Sequence, residues 1–210
     1  MPRREQGAEL SVHALRARIE AVLARGRHVL TTSERVPAAV LVLFVYRRGV
    51  PALVFGKKTE DVPHHKGQFS FPGGVVRGSD ATVVEAALRE AREEIGVEAS
   101  AVEVLGLFDD VPTTVTNFVI TPVLGLARGE PSFQPDGREI ERVIEIPLAH
   151  LLQPDAFRVE QWEREGVRRP VVFVHYGDDV VWGTTGRILQ ELLDALFPES
   201  RSSRGATVGP

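Results

Sequence analysis

The chain has 210 residues, with 25 Lys plus Arg against 29 Asp plus Glu, a formal net charge of −4. Hydrophobic residues make up 43% and charged residues 26%, which is enough apolar material for a core and excludes a wholly disordered chain; the acidic balance argues against a general nucleic-acid binder. There is no Cys, which excludes disulfides, cysteine-ligated zinc, iron–sulfur clusters and thiol nucleophiles, and fits a reducing compartment.

At roughly 150 residues per domain, this length suits one domain with extras. The first residues, MPRREQGAEL, are charged and carry no apolar targeting region. The longest apolar run, Val36 to Tyr46, contains Pro37 and falls short of the ~20 residues that span a bilayer. A cytoplasmic protein with no membrane partner is the expectation. In chain order, Val12, Leu15, Ile19, Val22 and Leu23 follow helical spacing between a Ser11 cap and a Gly26 stop. Residues 37–46 and 52–57 read as strands joined at Arg47-Arg48-Gly49, and 61–80 is loop-rich in Pro and Gly. Residues 81–95 form the clearest helix, closed by Gly96. Strands are expected over 102–111, 118–126 and 141–146, with a short helix at 147–152. A hairpin of 159–165 and 170–175 about Gly166 and a closing helix over 182–197 follow. Residues 199–210, rich in Ser, Arg and Gly, read as a disordered tail. A helix set among strands, without strict strand–helix alternation, predicts an α+β or mixed α/β sandwich.

The helix at 81–95 carries the chemistry. Val84, Ala87, Leu88, Ala91 and Ile95 form an apolar stripe, and Glu90, Glu93 and Glu94 fall on another face as neighbours three and four residues apart. Three carboxylates there repel one another and sit toward the helix C-terminus, where the helix dipole disfavours negative charge. A divalent cation would account for them, since hard carboxylate oxygens suit Mg²⁺ or Mn²⁺. The alternative is a solvated face laced by Glu85–Arg89 and Arg89–Glu93 pairs, each worth only ~0.3–0.5 kcal/mol. Pro72-Gly73-Gly74 ahead of the helix favours the cation, because a glycine turn lets backbone carbonyls approach a metal or amides approach a phosphate. The window 77–98 holds six acids against three Arg, so −3 of the net −4 lies in it.

Gly74, Arg89-Glu90, Glu93-Glu94 and Gly96 resemble the Nudix box, whose core reads R-E-x-x-E-E-x-G. Asp80 takes the place of the usual acid six residues after the glycine, and the gap from Asp80 to Arg89 is one residue longer than the standard form. That spacing, the G-x-x-x-F-P-G-G signature at Gly67 to Gly74, Phe108-Asp109-Asp110, and Val181-Trp182-Gly183-Thr184-Thr185 resemble the coenzyme A diphosphatase branch. Lys58 and Pro63 stand where that branch usually has Arg. The resemblance runs from about Pro37 to Phe197. It implies an N-terminal extension with one helix (1–36), a Nudix hydrolase domain with a mixed sheet, the box helix and a C-terminal helix (37–197), and the tail (198–210).

The resemblance further implies Glu90 and Glu94 as metal ligands, Glu93 as a direct or water-mediated one, and Gly74 as a carbonyl ligand. Glu90, Arg89 and Glu93 are the expected catalytic set, with Arg89 orienting a glutamate. A general base is required, and Glu90, Glu139 and Glu141 are the candidates. Lys58, His65, Gln68, Phe71 and Trp182 are the candidate substrate contacts, Trp182 also reading as a core residue. Lys57, Lys58 and Lys66 are read either as steering an anionic substrate or as solvated loop charges. The N-terminal helix reads either as a homodimer surface or as a cover for the domain. The leading expectation is Mg²⁺- or Mn²⁺-dependent hydrolysis of coenzyme A or its thioesters to adenosine 3′,5′-bisphosphate and 4′-phosphopantetheine. The alternatives are the same chemistry on ADP-ribose, a nucleotide sugar or a nucleoside triphosphate, and a non-catalytic nucleotide sensor. The partner in each case is a small nucleotide derivative.

Overall fold

The computed structural model describes residues 10–30, 34–61, 66–113, 116–164 and 166–203. Through them run α1 (Val12–Leu23), β1 (Val36–Arg47), β2 (Val50–Lys58), β3 (Phe69–Ser70), β4 (Gly73–Val75), α2 (Val83–Ile95), β5 (Val102–Leu107), β6 (Val111–Pro112), β7 (Phe118–Ala127), β8 (Ile140–Pro147), α3 (Leu148–Leu151), β9 (Phe157–Arg164), β10 (Val167–Tyr176), β11 (Asp179–Trp182) and α4 (Gly183–Leu196).

β1 is the hub of the larger sheet. It pairs antiparallel with β2 (Phe44 opposite Leu53) and with β4 (Ala39 opposite Gly74), and parallel with β7 (Ala38 opposite Ile120). The order β3-β2-β1-β7-β5 is completed by β8 on β2 and β6 on β7, and β11-β10-β9 form a second, antiparallel sheet. Successive side chains of a strand point to opposite faces. Ala39, Leu41, Leu43 and Val45 of β1 therefore meet Ala86, Ala87, Ala91 and Ile95 of α2. Val42 and Phe44 meet α1, α4 and the second sheet on the other side. Burial on both faces explains why β1 is apolar along its length instead of alternating. This is the mixed α/β sandwich expected.

Three differences from the sequence reading have physical causes. The strand expected over 102–111 divides into β5 and β6, because the intervening polar groups bind the N-terminal segment: Asp109 accepts from the His28 amide (2.6 Å), and Asp110 accepts from the Leu30 amide and from Arg27. The hairpin strands run longer, with Pro170 inside β10; β11 pairs only Phe173 to Tyr176, so Pro170 lies where that flank of β10 is an edge. Pro198–Ser203 is a 3-10 helix, held by an Arg18–Glu199 pair at 2.9 Å, although this stretch reads as tail. Of the two readings of the N-terminal helix, covering the domain matches its packing. Leu15 and Ile19 are fully buried in the same core as β1, and Arg16 grips Glu103 of β5 through two bonds of 2.7 Å.

Candidate active site

Thr82 opens α2 by accepting the Glu85 amide at 3.1 Å, and the Glu85 carboxylate accepts the Ala81 amide at 2.8 Å. This reciprocal cap satisfies amides the first turn leaves over, and it removes Glu85 from the Glu85–Arg89 pair that the spacing predicts. Gly96 ends the helix in the left-handed conformation, φ 71°. The three acids expected on one patch divide. Glu90 and Glu94, one turn apart beside the alanine stripe, turn inward at 8% and 3% exposure, whereas the Glu93 side chain remains 47% exposed.

β4 reaches these carboxylates because it begins with two glycines. A Cβ on Gly73 would stand 2.3 Å from the Ala39 carbonyl oxygen, and one on Gly74 would stand 2.8 Å from the Glu90 carboxyl carbon. The Gly73 amide donates to Glu94 Oε2 at 3.0 Å. On the other side, Arg89 donates to Asp80 through Nε and Nη2, each at 2.9 Å, and through Nη1 to Glu90 Oε1 at 2.6 Å. The Arg89 guanidinium, helped by the Arg77 amide, pulls Asp80 down to about 2. Arg77, 52% exposed, reaches Glu93 at 3.1 Å and Glu90 at 3.5 Å. The Lys58 ammonium lies 3.7 Å from Glu94. Burial pushes Glu94 up to about 7; Lys58 and the Gly73 amide oppose that rise, and the Glu90 and Glu139 carboxylates add to it.

The 134–140 loop is fastened to the end of the same helix. The Gln134 amide donates to the Ile95 carbonyl at 2.9 Å and the Asp136 amide to the Glu94 carbonyl at 3.1 Å. The Asp136 carboxylate then accepts the amides of Arg138, Glu139 and Ile140. Glu139 is thereby held where its charge is felt at Glu94, while Glu141 pairs with Lys57 at 3.4 Å.

Among the described residues, no three Asp, Glu or His side chains form a ready-made cage for an ion; Arg77, Arg89 and Lys58 hold the oxygens instead. The donor set nonetheless fits Mg²⁺ or Mn²⁺. Glu90, Glu93, Glu94 and the Gly74 carbonyl offer hard oxygens, and Gly74 is packed so close to Glu90 that no side chain could intervene. Arg77 is the exposed cation such an ion would displace.

The remaining candidates scatter. Lys58 and Gly74 join the carboxylates. Gln68 is half-buried beside β2, its carbonyl accepting the Lys58 amide at 2.9 Å. Phe71 does not face solvent: at 2% exposure it stacks on Phe55, centroids 4.7 Å apart, and supports the glycine turn from within the core. The resemblance made it a candidate substrate contact, but between β3 and β4 its side chain turns into the core on the same side as Phe69. His65, with His64 and Pro63, lies outside the described residues. Trp182 ends β11, stacked on Phe173 at 5.9 Å. The sequence reading missed Arg77, since nothing local ties it to Glu93 sixteen residues on, and it passed over Trp162. A cavity of about 460 Å³, lined by Leu23, Arg27, Phe108, Asp109 and Glu191 among others, shares no residue with the carboxylate cluster.

Residues 35–169 match the NUDIX domain. The chain belongs to the Nudix family. Curated relatives include the uncharacterized Nudix hydrolase NudL of Klebsiella pneumoniae subsp. pneumoniae, 38% identical over 166 residues, 79% of this chain and 84% of the relative. The protein of the same description from Salmonella paratyphi B is 39% identical over 155 residues, 74% of this chain and 80% of the relative. The crystal structure of a MutT/nudix family protein from Enterococcus faecalis shares the fold at TM-score 0.50 and 14% identity, covering 90% of this chain and 74% of that one. The chain is thus a Nudix hydrolase acting on the phosphoanhydride of a small nucleotide derivative, in a family that generally depends on a metal. No helix among its described residues is long and apolar enough to cross a membrane.

Proposed function

We propose that this Nudix hydrolase cleaves the diphosphate linkage of a nucleoside diphosphate derivative with Mg²⁺ or Mn²⁺ held by Glu90, Glu94, Glu93 and the Gly74 carbonyl. The observation that carries this reading is the pair of buried carboxylates, Glu90 and Glu94, pressed against a glycine strand with exposed Arg77 over them. A divalent cation there neutralises the diphosphate and lowers the pKa of an attacking water. Arg89 is a positioning residue: its bidentate grip on Asp80 fixes the nitrogen that holds Glu90. Of the three candidate bases, Glu139 is favoured. Glu90 is bonded to Arg89 and Glu141 is paired with Lys57, whereas the Glu139 carboxylate has no hydrogen bond or ion pair among the described residues and its backbone is locked by Asp136.

Two substrate readings go to the test. ADP-ribose, a nucleotide sugar or a nucleoside triphosphate requires only the diphosphate chemistry above, and is the broader reading. Coenzyme A is supported by the Gly67-to-Gly74 signature and the lengthened box. Purified protein incubated with Mg²⁺ and coenzyme A, acetyl-coenzyme A, ADP-ribose and nucleoside triphosphates, with products identified by mass, separates them. Adenosine 3′,5′-bisphosphate identifies coenzyme A, and AMP with ribose 5-phosphate identifies ADP-ribose. Binding of these compounds with no hydrolysis of any would replace the enzyme reading with a sensor.

A further inference from the structure

The three cations that compensate the carboxylate cluster are held differently. Arg89 is fixed by its two bonds to Asp80, which aim a third at Glu90. Lys58 lies 3.7 Å from Glu94 with its side chain 19% exposed. The Arg77 side chain stands 52% exposed. Its Nη1 reaches Glu93 at 3.4 Å, and its Nη2 reaches Glu93 at 3.1 Å and Glu90 at 3.5 Å. These contacts are long for bonds between charged groups, which run about 2.7–2.9 Å. The main chain beneath is fastened. The Arg77 amide donates to Asp80 at 2.8 Å, and the Arg77 carbonyl accepts the Asp80 amide at 3.0 Å. The preceding amide, of Val76, donates to the Pro37 carbonyl at 3.0 Å. A loosely bonded side chain on a fixed backbone can swing without disturbing β4.

Both acids that Arg77 touches are candidate metal ligands, so one ion would take both partners from it and would repel the guanidinium besides. The neighbouring carboxylates are already engaged. Asp80 is bonded to Arg89 and to the Arg77 amide, and Glu85 caps the start of α2. The anion left within reach is the substrate. Two oxygens sharing one Mg²⁺, each at about 2.0–2.1 Å, lie at most about 4 Å apart. A phosphate oxygen on the same ion as Glu90 therefore falls near the place where Nη2 of Arg77 stands, 3.5 Å from Glu90. The planar fork of a guanidinium matches phosphate oxygens in pairs. A surface ion pair kept only to screen the acids would contribute little, and it would be idle once the ion is bound.

We propose that Arg77 is a phosphate clamp released by the divalent cation: it bridges Glu90 and Glu93 in the metal-free protein, and binds the diphosphate of the substrate once the ion has taken those oxygens. This rests on the diphosphatase reading and adds to that site a residue that exchanges one anion for another. The test is calorimetric titration of the full chain, first with Mn²⁺ alone and then, at saturating Mn²⁺, with α,β-methylene-ADP. The P–C–P bridge of this analogue resists hydrolysis, and its ADP core is common to coenzyme A and ADP-ribose. Arg77→Gln should bind Mn²⁺ more tightly, by up to about fivefold. It should bind the analogue about tenfold more weakly, the scale of one hydrogen bond to a charged group. Arg77→Lys keeps the charge without the fork, and should recover the wild-type Mn²⁺ affinity but only part of the analogue affinity. Arg92→Gln removes an equal charge from α2, where Arg92 pairs with Glu98 at 3.2 Å, and should change neither affinity. Unchanged analogue affinity in Arg77→Gln overturns the proposal and leaves the diphosphatase reading standing. Weaker binding of both Mn²⁺ and the analogue also overturns it, because Arg77 would then support the ion. An equal loss of analogue affinity in Arg92→Gln overturns it as well, by tracing the effect to net charge. Opposite shifts in a protein that hydrolyses none of the panel would instead retain the clamp and refute the diphosphatase reading.

Discussion

Burying a carboxylate is costly unless its oxygens are bonded or its charge is met, and Glu94 at 3% exposure is met on both sides, by the Gly73 amide and by Lys58. Glu90 is held more firmly, by Arg89, with Arg77 more loosely placed above it. A cation entering between them competes with Arg77 and not with the anchored Arg89. Arg77→Gln is therefore expected to bind Mn²⁺ more tightly than the wild type in the absence of substrate, by up to about fivefold, the scale of an exposed ion pair; calorimetric titration reads this, and weaker binding would show that Arg77 supports the ion. Asp80 supplies a pH-dependent contribution of known sign. Its folded pKa, held near 2 by Arg89, lies below the ordinary Asp value of about 4. The stabilisation is therefore present above about pH 4 and is lost as pH falls through 2. The gap in Tm between wild type and Asp80→Asn should be widest near neutrality and close toward pH 2.

At the scale of elements, β4 works because glycine lets it pass between β1 and α2. Gly73→Ala places a Cβ against the Ala39 carbonyl and should cost on the order of 1–3 kcal/mol, as overpacking does, lowering activity and the urea midpoint together. Ile19→Ala in α1 should cost about 2–5 kcal/mol with the hydrolytic rate retained below the transition, because α1 packs on the face of the sheet away from α2; a rate loss without destabilisation would contradict that separation. The elements best read from sequence were those whose signals are local. Gly96 marks the end of α2 and the run from Val36 marks β1, whereas the Thr82–Glu85 cap that opens α2 went unread. The Glu90–Glu93–Glu94 spacing was legible too, but its division into two buried acids and one exposed acid was not. That division depends on where β4 crosses the helix. Arg77 bridging to Glu93, and Asp109 and Asp110 binding the segment after α1, are contacts between distant parts of the chain, and no periodicity encodes them.

Across the whole molecule, the sandwich places α2 and its carboxylates on one face of the larger sheet, and α1, α4 and the second sheet on the other. The glycine turn between β3 and β4 carries the chain past the edge where the two faces meet. The acidic excess of the sequence is concentrated at this edge, where Arg77, Arg89 and Lys58 compensate it. The central claim is that these buried carboxylates bind the divalent cation on which diphosphate hydrolysis depends. Its most direct test compares wild type and Glu94→Gln on the substrate the panel identifies, with Mg²⁺ supplied and again after chelation. Glutamine keeps the size of the side chain and an oxygen for the Gly73 amide, so the circular dichroism and Tm of the variant should match the wild type. The account predicts a rate at least about a hundredfold lower in Glu94→Gln, and loss of wild-type turnover on chelation with recovery on adding Mg²⁺. A folded Glu94→Gln enzyme that turns over at the wild-type rate with Mg²⁺ present would contradict it.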